Sequence, residues 1–278
     1  MSTPVPLRMR PLEIGDLLDE TFRMYRRHFL LFAGISVILA IPSAALVGLV
    51  FASLASVVGE TGQTDFAAFT PFLESLGAAV IVSLMILPFT QGAVMYAACE
   101  SALGRPVTAG GVFMGVLRRY FPLLGYWLLF AFTGYLAAAL CLVPLVLWAW
   151  VFVLWSVATP AMFVENIGPG AAMSRSWHLV QGRWWRTFLV LLLMVVVWYL
   201  SRLALDAFLQ LGQVLLAIVL SPYLVSAIAV AGSQLVGALV TPVLQITIVL
   251  IYFDLRVRRE ALDLFQMAHR IAAPAATS

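Results

Sequence analysis

The chain has no lysine and little charge of either sign. Its 278 residues include 16 basic side chains, all of them arginine, and 13 acidic ones, so charged residues make up 10% of the chain. Soluble domains carry roughly a quarter of their residues as charged side chains. Because 63% of the residues are hydrophobic, the composition excludes an ordinary water-soluble domain and predicts an integral membrane protein.

Reactive residues are also scarce. Cys99 and Cys141 are the two cysteines, and three histidines are scattered along the chain. Neither a disulfide scaffold nor metal-ligand spacing is present. The HExxH, GxSxG and Walker motifs are missing as well. The sequence therefore predicts no catalytic residue, no metal site and no cofactor.

Long apolar runs determine the fold class. Backbone groups inside a bilayer must bond within their own segment or in a closed barrel, and runs such as 188–200 are apolar on all sides, which excludes the alternation of a barrel strand. We therefore expect an all-α integral membrane protein with six transmembrane helices. The predicted spans are 29–58, 76–99, 121–143, 144–164, 188–209 and 235–253. A seventh apolar stretch, 214–231, is interrupted by Ser221-Pro222.

Arginine placement predicts the orientation, since arginine-rich loops stay in the cytoplasm. Six spans with both termini inside place fifteen arginines on the inner side and only Arg202 outside. A seventh span would export the last arginine group. We therefore interpret 214–231 as an outer-leaflet hairpin or a helix lying across the bundle. The expected location is the bacterial cytoplasmic (inner) membrane, with multiple spans and with cytoplasmic N- and C-termini.

A pattern recurs three times along the chain. Amphipathic helices, expected in the interface plane, are predicted at 12–28, from Thr108 and from near Gly170, and each precedes two spans. Pro88-x-x-Gln91 recurs as Pro242-x-x-Gln245. We interpret the chain as a single membrane domain, 1–278, of three tandem units. The unit boundaries are approximately 11–103, 107–165 and 168–256, and 257–278 forms a short cytoplasmic tail.

Three segments of the chain form recognisable motifs: RPLEIGDLLDETFRMYRRHFLLFAGI at 10–35, AMSRSWHLVQGRWWRTF at 172–188 and LIYFDLRVRREALDL at 250–264. They resemble a known bacterial family, the glycerophosphoryl diester phosphodiesterase membrane domain. The resemblance implies a six-span domain and brings no established catalytic or binding residues. The His-Arg-Gly motif of the soluble phosphodiesterase is missing, and a chain of this length has no room for its ~250-residue barrel. We therefore expect no phosphodiesterase activity.

Two groups of polar residues are candidates for a site. Arginines at the membrane joints can contact lipid headgroups or can serve only as a topology signal; they are Arg26, Arg27, Arg118, Arg119, Arg183 and Arg186. Polar residues within or at the ends of spans can form a functional site, an anchor or an internal ion pair. These are Gln91, Glu100, Glu165, Arg202, Asp206, Gln245, Asp254 and Arg258. Thr90 and Thr247 can join them in a cavity or can bond carbonyls freed by the prolines.

Three function classes follow from these features. The first is a non-catalytic membrane-organising, lipid-associated or scaffolding component, and it is favoured by the arginine belt and the absence of a reactive cluster. The second is a lipid or small-molecule transporter, which needs a polar site at mid-membrane depth from Gln91 and Gln245. The third is a lipid-modifying enzyme, which needs Glu100, Glu165 and Asp254 to converge. The expected partners are membrane lipids, anionic ones above all, and membrane proteins, but not nucleic acid.

Overall fold

The computed structural model describes residues 13–58, 69–140 and 142–260, and these residues form ten α-helices with no strand. The helices are α1 (Ile14–Arg27), α2 (Phe29–Val58), α3 (Phe69–Ala102), α4 (Ala109–Leu117), α5 (Tyr120–Ala139), α6 (Leu142–Trp155), α7 (Ala158–Val164), α8 (Pro169–Val180), α9 (Trp184–Leu216) and α10 (Pro222–Glu260). The prediction of an all-α fold is confirmed.

Six segments of the described chain are long and apolar enough to cross a membrane, as predicted. Four of them are α2, α3, α5 and α9; the fourth in chain order is α6 with α7, which a short break at 156–157 divides, and the last is α10. With a rise of 1.5 Å per residue, the 39 residues of α10 extend about 58 Å, well beyond the ~30 Å hydrocarbon core. The chain is thus a polytopic membrane protein.

The stretch 214–231 corrects two predicted boundaries. Helix α9 continues to Leu216 and α10 begins at Pro222, so the stretch is the tip of a hairpin made by these two helices. The helix–turn–helix agrees with the hairpin alternative and not with a helix across the bundle, while its location in the outer leaflet stays a prediction. Spans 188–209 and 235–253 were predicted too short, since α9 continues to Leu216 and α10 already begins at Pro222. The chain turns at 217–221, and Pro222 takes the first helical position, which proline favours.

Local sequence signals account for the short helices. The side chain of Glu13 caps α1 together with Asp16, and acids at its start and Arg26 and Arg27 at its end complement the helix dipole. Thr108 caps α4 by accepting a hydrogen bond from the Gly111 amide at 3.2 Å, as predicted. Helix α8 starts at Pro169, directly after its cap residue Gly168. The order of one short helix and two spans occurs three times, while a common origin of the three units stays a prediction.

Helix α10 is the centre of the bundle, because α1, α2, α3, α7, α8 and α9 all pack against it. Its residues from Ile246 to Leu255 are largely buried, and Tyr252 is among the largest fully buried side chains. Gly48 allows a close approach between α2 and α10: a Cβ there would lie 3.4 Å from the Ala227 carbonyl oxygen. Such small-residue contacts are typical of helix packing in membranes.

Helix α1 packs along α10. Leu17 is fully buried between them, and the Thr21 hydroxyl lies 3.3 Å from that of Thr247. The Tyr25 hydroxyl donates to the Leu239 carbonyl. Burial raises the pKa of Tyr25 to about 12. These contacts fix the N-terminal helix to the central one. The predicted tail begins as the end of α10, up to Glu260, and 261–278 lies outside the described residues.

Candidate functional site

Gln91 and Gln245 meet at the centre of the bundle. The Gln245 amide nitrogen donates to the Gln91 amide oxygen at 2.6 Å, although 154 positions separate the two residues. Each glutamine lies three positions after a proline inside a long helix, Pro88 in α3 and Pro242 in α10. The two members of the repeated Pro-x-x-Gln pattern therefore form one contact. Gln245 is 2% exposed, so the contact is buried.

A polar cavity of about 310 Å³ lies beside this pair, between α2, α3, α9 and α10. Its volume is at the lower end of the range for small-molecule sites. In helices that are otherwise almost wholly apolar, nine polar side chains line it: Ser36, Ser43, Ser83, Thr90, Gln91, Arg202, Gln234, Thr241 and Gln245. Among the described candidates this cavity has the concave shape and the convergent polar groups of a binding site.

Hydroxyl groups in the cavity wall present lone pairs rather than protons. Ser43, Thr90 and Thr241 each donate their hydroxyl proton to a carbonyl of their own helix, at 2.8 to 3.0 Å. The sequence left open whether Thr90 lines a cavity or bonds a backbone carbonyl, and in the structure it does both. Thr247 donates to Val243 and lies outside the cavity, next to Thr21.

Arg202 lies at one end of the cavity. Its Nε is 3.3 Å from Asp206, and its Nη2 donates to the Ser233 hydroxyl at 2.9 Å, so the predicted Arg202–Asp206 pair is present. Its Nη1 lies directly over Gly237, where a Cβ would be only 2.0 Å away. Glycine is required here for the guanidinium to approach the α10 backbone. The cavity therefore has a single arginine at its Gly237 end and neutral amides at its Gln245 end.

A second polar space lies beyond Arg202. Asp206 and Ser233 line a groove of about 680 Å³ between α9 and α10, together with Gln210, Gln213 and Ser226. The Ser233 hydroxyl donates to Asp206 at 2.8 Å while it accepts from Arg202. The groove and the cavity thus meet at one hydrogen-bonded group of three residues.

An ion pair between α9 and α10 and a charged pair within α9 bracket the cavity. Arg186 pairs with Asp254 at one level, and Arg202 with Asp206 and Ser233 at the other. Sixteen residues of α9 separate Arg186 from Arg202, which corresponds to about 24 Å along the helix. That separation is close to the ~30 Å thickness of a hydrocarbon core. The cavity lies between these levels.

The three span-end acids do not form a reactive cluster. Glu100 pairs with Arg105, Glu165 with Arg175, and the buried Asp254 with both Arg186 and the predicted Arg258. No group of three metal-ligating side chains occurs among the described residues. Glu165 also accepts a hydrogen bond from Tyr252 at 2.8 Å, and Arg175 bridges it to Glu260. Burial lowers the pKa of Arg175, but the hydrogen bonds that its guanidinium donates to Glu260 and Glu165 outweigh burial and leave that pKa raised. The acids hold helix ends together.

The predicted headgroup arginines fall into two groups. Arg186 is engaged by Asp254, and Arg119 donates to the Ile167 carbonyl at 3.1 Å. Both therefore already have structural contacts. The others lie at helix ends: Arg26 and Arg27 close α1, Arg118 follows α4, and Arg183 precedes α9. Contact of these residues with lipid stays a prediction.

Sequence reasoning missed five of the nine polar lining residues, Ser36, Ser43, Ser83, Gln234 and Thr241. A signal for them is present: Ser36 and Ser43 on α2, Ser83 and Thr90 on α3, and Gln234 and Thr241 on α10 are each seven positions apart. Seven residues are two helical turns, so each pair lies on one helix face. A polar face within an apolar span marks a buried contact or a cavity, and three such faces converge here.

No protein-family model, no curated protein and no solved structure matches this chain. The resemblance to the phosphodiesterase membrane domain accordingly stays a prediction.

Proposed function

We propose that this polytopic protein binds a small polar solute or lipid headgroup in the cavity between α2, α3, α9 and α10, and that it is a transporter. The observation that carries the proposal is the Gln91–Gln245 contact at the wall of a polar cavity. Burying polar groups at membrane depth is unfavourable unless they are satisfied, so such groups by default indicate function.

The position of the cavity favours transport over a purely structural role. A scaffold needs no polar interior, whereas a transporter needs a binding site enclosed by its spans. The cavity and the groove lined by Asp206 lie one after the other along α9 and α10. Movement of the small hydrogen-bonded group between them would connect the two spaces. The scaffolding role inferred from composition has no comparable structural feature to support it.

The proposed setting is a bacterial inner membrane with both termini in the cytoplasm. An even number of spans supports a common side for the two ends of the chain, and the arginine distribution favours the cytoplasm as that side. Reporter fusions at residue 270 and within 60–70 test this orientation. Opposite sides for the two reporters support it, and an exported C-terminus contradicts it.

The proposal also holds that the protein catalyses no reaction. The acids that an enzyme would need are each engaged by arginine. The arginines at the helix ends then act in topology and in contact with anionic lipid, for which each contributes about 1 kcal/mol.

Thiol labelling tests whether the cavity contains water. Single cysteines are placed at Thr90, in the cavity wall, or at Ile81, on the outer surface of the same helix, in a chain with both native cysteines changed to alanine. The thiolate is the reactive form, and it forms where water is present. A small anionic methanethiosulfonate reagent should therefore modify Thr90→Cys about tenfold faster or more than Ile81→Cys in proteoliposomes. Equal, slow labelling at both positions contradicts the proposed function.

A further inference from the structure

The guanidinium of Arg202 is only partly used by its neighbours. Nε faces Asp206, and Nη2 donates to the hydroxyl and the carbonyl of Ser233. Nη1 lies over Gly237, in the wall of the cavity, and has no partner among the described residues. Because a planar guanidinium binds oxyanions through several N–H groups at once, the remaining donors suit a bound anion.

The carboxylate of Asp206 pairs with Arg202 but does not line the cavity. Asp206 lines the groove between α9 and α10, whereas Arg202 lines the cavity. The pair is therefore oriented, with its positive end toward the cavity. No acidic side chain lines the described cavity wall. An anion in the cavity would be attracted by Arg202, and the Asp206 carboxylate, 3.3 Å from Nε, would partly offset that attraction.

Several other groups of the wall offer acceptors. The hydroxyls of Ser43, Thr90 and Thr241 donate to their own helices, so their lone pairs alone remain for a ligand. Gln245 lines the same space, and its Oε1 is buried without a hydrogen-bond partner in the described part of the chain. A ligand that fits these groups carries N–H or O–H donors.

From these two ends we infer that the cavity binds a molecule in which an anionic group is joined to N–H or O–H donor groups. The anion contacts Arg202 at the Gly237 end, and the donors face Thr90, Thr241 and Gln245. Gly237 and Gln245 are eight residues apart on α10, about 12 Å along the helix, which suits a short two-headed molecule. This inference rests on the proposed function and specifies its ligand class.

An anionic group joined to N–H or O–H donors can belong to a free solute or to a phospholipid headgroup. The cavity of about 310 Å³ accommodates a small solute or a headgroup alone. Leu87 lines both this cavity and an apolar groove of about 400 Å³ between α3, α5 and α6, where an acyl chain finds an apolar surface. A free solute and a lipid headgroup present the same anionic and donor groups to the cavity, and the nanodisc experiment below distinguishes the two sources.

Protection of Thr241→Cys from the methanethiosulfonate reagent measures binding. Four probes are compared on the purified protein without native cysteines: phosphoethanolamine, phosphocholine, ethanolamine and inorganic phosphate. Phosphoethanolamine has both the anionic group and the N–H donors, and phosphocholine has the anionic group without N–H donors. Ethanolamine has the N–H donors without the anionic group, and inorganic phosphate has the anionic group without an amine. We expect phosphoethanolamine to protect at a concentration about tenfold lower than each of the others.

Two variants of the charged pair separate binding from folding. Arg202→Gln should raise the concentration of phosphoethanolamine needed for half-protection about tenfold or more, because a charge-assisted contact is lost. Asp206→Asn should lower that concentration, because the guanidinium loses its counter-charge. Misfolding can weaken binding but cannot explain weaker binding in one variant and tighter binding in the other. If Arg202→Gln does not fold, the tighter binding expected of Asp206→Asn still tests the inference.

Nanodiscs identify the source of the ligand. Slower labelling of Thr241→Cys in phosphatidylethanolamine discs than in phosphatidylcholine discs, without added solute, supports a lipid headgroup. Equal labelling in the two discs together with protection by phosphoethanolamine supports a free solute. Equal effects of phosphoethanolamine and phosphocholine, or unchanged protection in both variants, overturn the inference. If Thr90→Cys still labels rapidly in that case, the proposed function stands and only the ligand class is wrong.

Discussion

Arg202 and Asp206 are neighbours on one helix face, yet they line different spaces. They are one turn apart on α9, with Nε and Oδ2 separated by 3.3 Å. The arginine lines the cavity, and the aspartate lines the groove beyond it. Ser233 of α10 contacts both residues. The pair therefore forms the wall between the two spaces, and a change in its hydrogen bonds would alter the connection between them.

The Gln91–Gln245 contact should show strong coupling. Gln91→Leu leaves the buried Gln245 amide without its partner and should lower the free energy of unfolding by about 1–3 kcal/mol. Gln245→Leu should have a similar effect. The double variant removes both polar groups and should be more stable than the sum of the single losses implies. Denaturation in mixed detergent micelles measures all four proteins, and strictly additive losses contradict a direct contact.

Gly237 should be a functional glycine rather than a structural one. Gly237→Ala places a Cβ 2.0 Å from the Arg202 Nη1, so the flexible side chain must move away. We expect a change in stability below about 1 kcal/mol, since alanine also favours the helix, together with loss of phosphoethanolamine protection. Gly232→Ala is the matched control on the same helix, because its nearest neighbour, Leu209, is at an ordinary 3.8 Å. Loss of protection in both variants contradicts the assignment.

Asp254 should be essential for stability. Its side chain is 0% exposed and pairs with Arg186 and Arg258. Asp254→Asn removes the negative charge from a buried pair and should lower the free energy of unfolding by about 3 kcal/mol. Glu100→Gln is the control, since its partner Arg105 is 62% exposed and exposed pairs contribute below about 1 kcal/mol. Thermal unfolding in detergent compares the two, and equal losses are inconsistent with burial as the cause.

Alkaline pH should release α1 from α10. Burial raises the pKa of Tyr25 to about 12, and exposed tyrosines ionise near 10. Because the folded state holds the proton more tightly, its contribution to stability is complete below about pH 10 and is lost as the pH rises through 12. The tyrosinate absorbance of the wild-type protein minus that of Tyr25→Phe reports Tyr25 alone, and this difference should titrate near pH 12. A difference that titrates near 10 means that Tyr25 is not buried against Leu239.

The fold class was predictable from sequence because membrane spans are recorded in long apolar runs. Six spans, the start of α2 at Phe29 and the cap at Thr108 all follow from local signals. The ends of α9 and α10 were not predictable in the same way. The predicted span 188–209 already contained the Arg202–Asp206 pair, yet α9 continues beyond it to Leu216, and α10 begins at Pro222 rather than near 235. The break at 156–157 has no comparable signal.

The site was predictable only in part. Gln91, Gln245, Arg202 and Asp206 stand out as polar residues inside spans, and the structure brings the first three to one cavity. Serines and threonines are too common in helices to stand out singly, because they can bond their own backbone. Their contribution depends on which faces of α2, α3 and α10 meet. The Arg186–Asp254 pair, 68 positions apart, likewise depends on tertiary packing.

The central claim is that the cavity is a transport site, and its most direct test is access from both sides of the membrane. Thr90→Cys without other cysteines is labelled with an impermeant anionic thiol reagent, applied either outside or inside oriented vesicles. Lipid-facing Ile81→Cys is the control in both experiments. The account predicts labelling of Thr90→Cys from each side, slowed by phosphoethanolamine in both cases, and little labelling of Ile81→Cys. Labelling of Thr90→Cys from one side alone, under every condition, would contradict transport through this cavity.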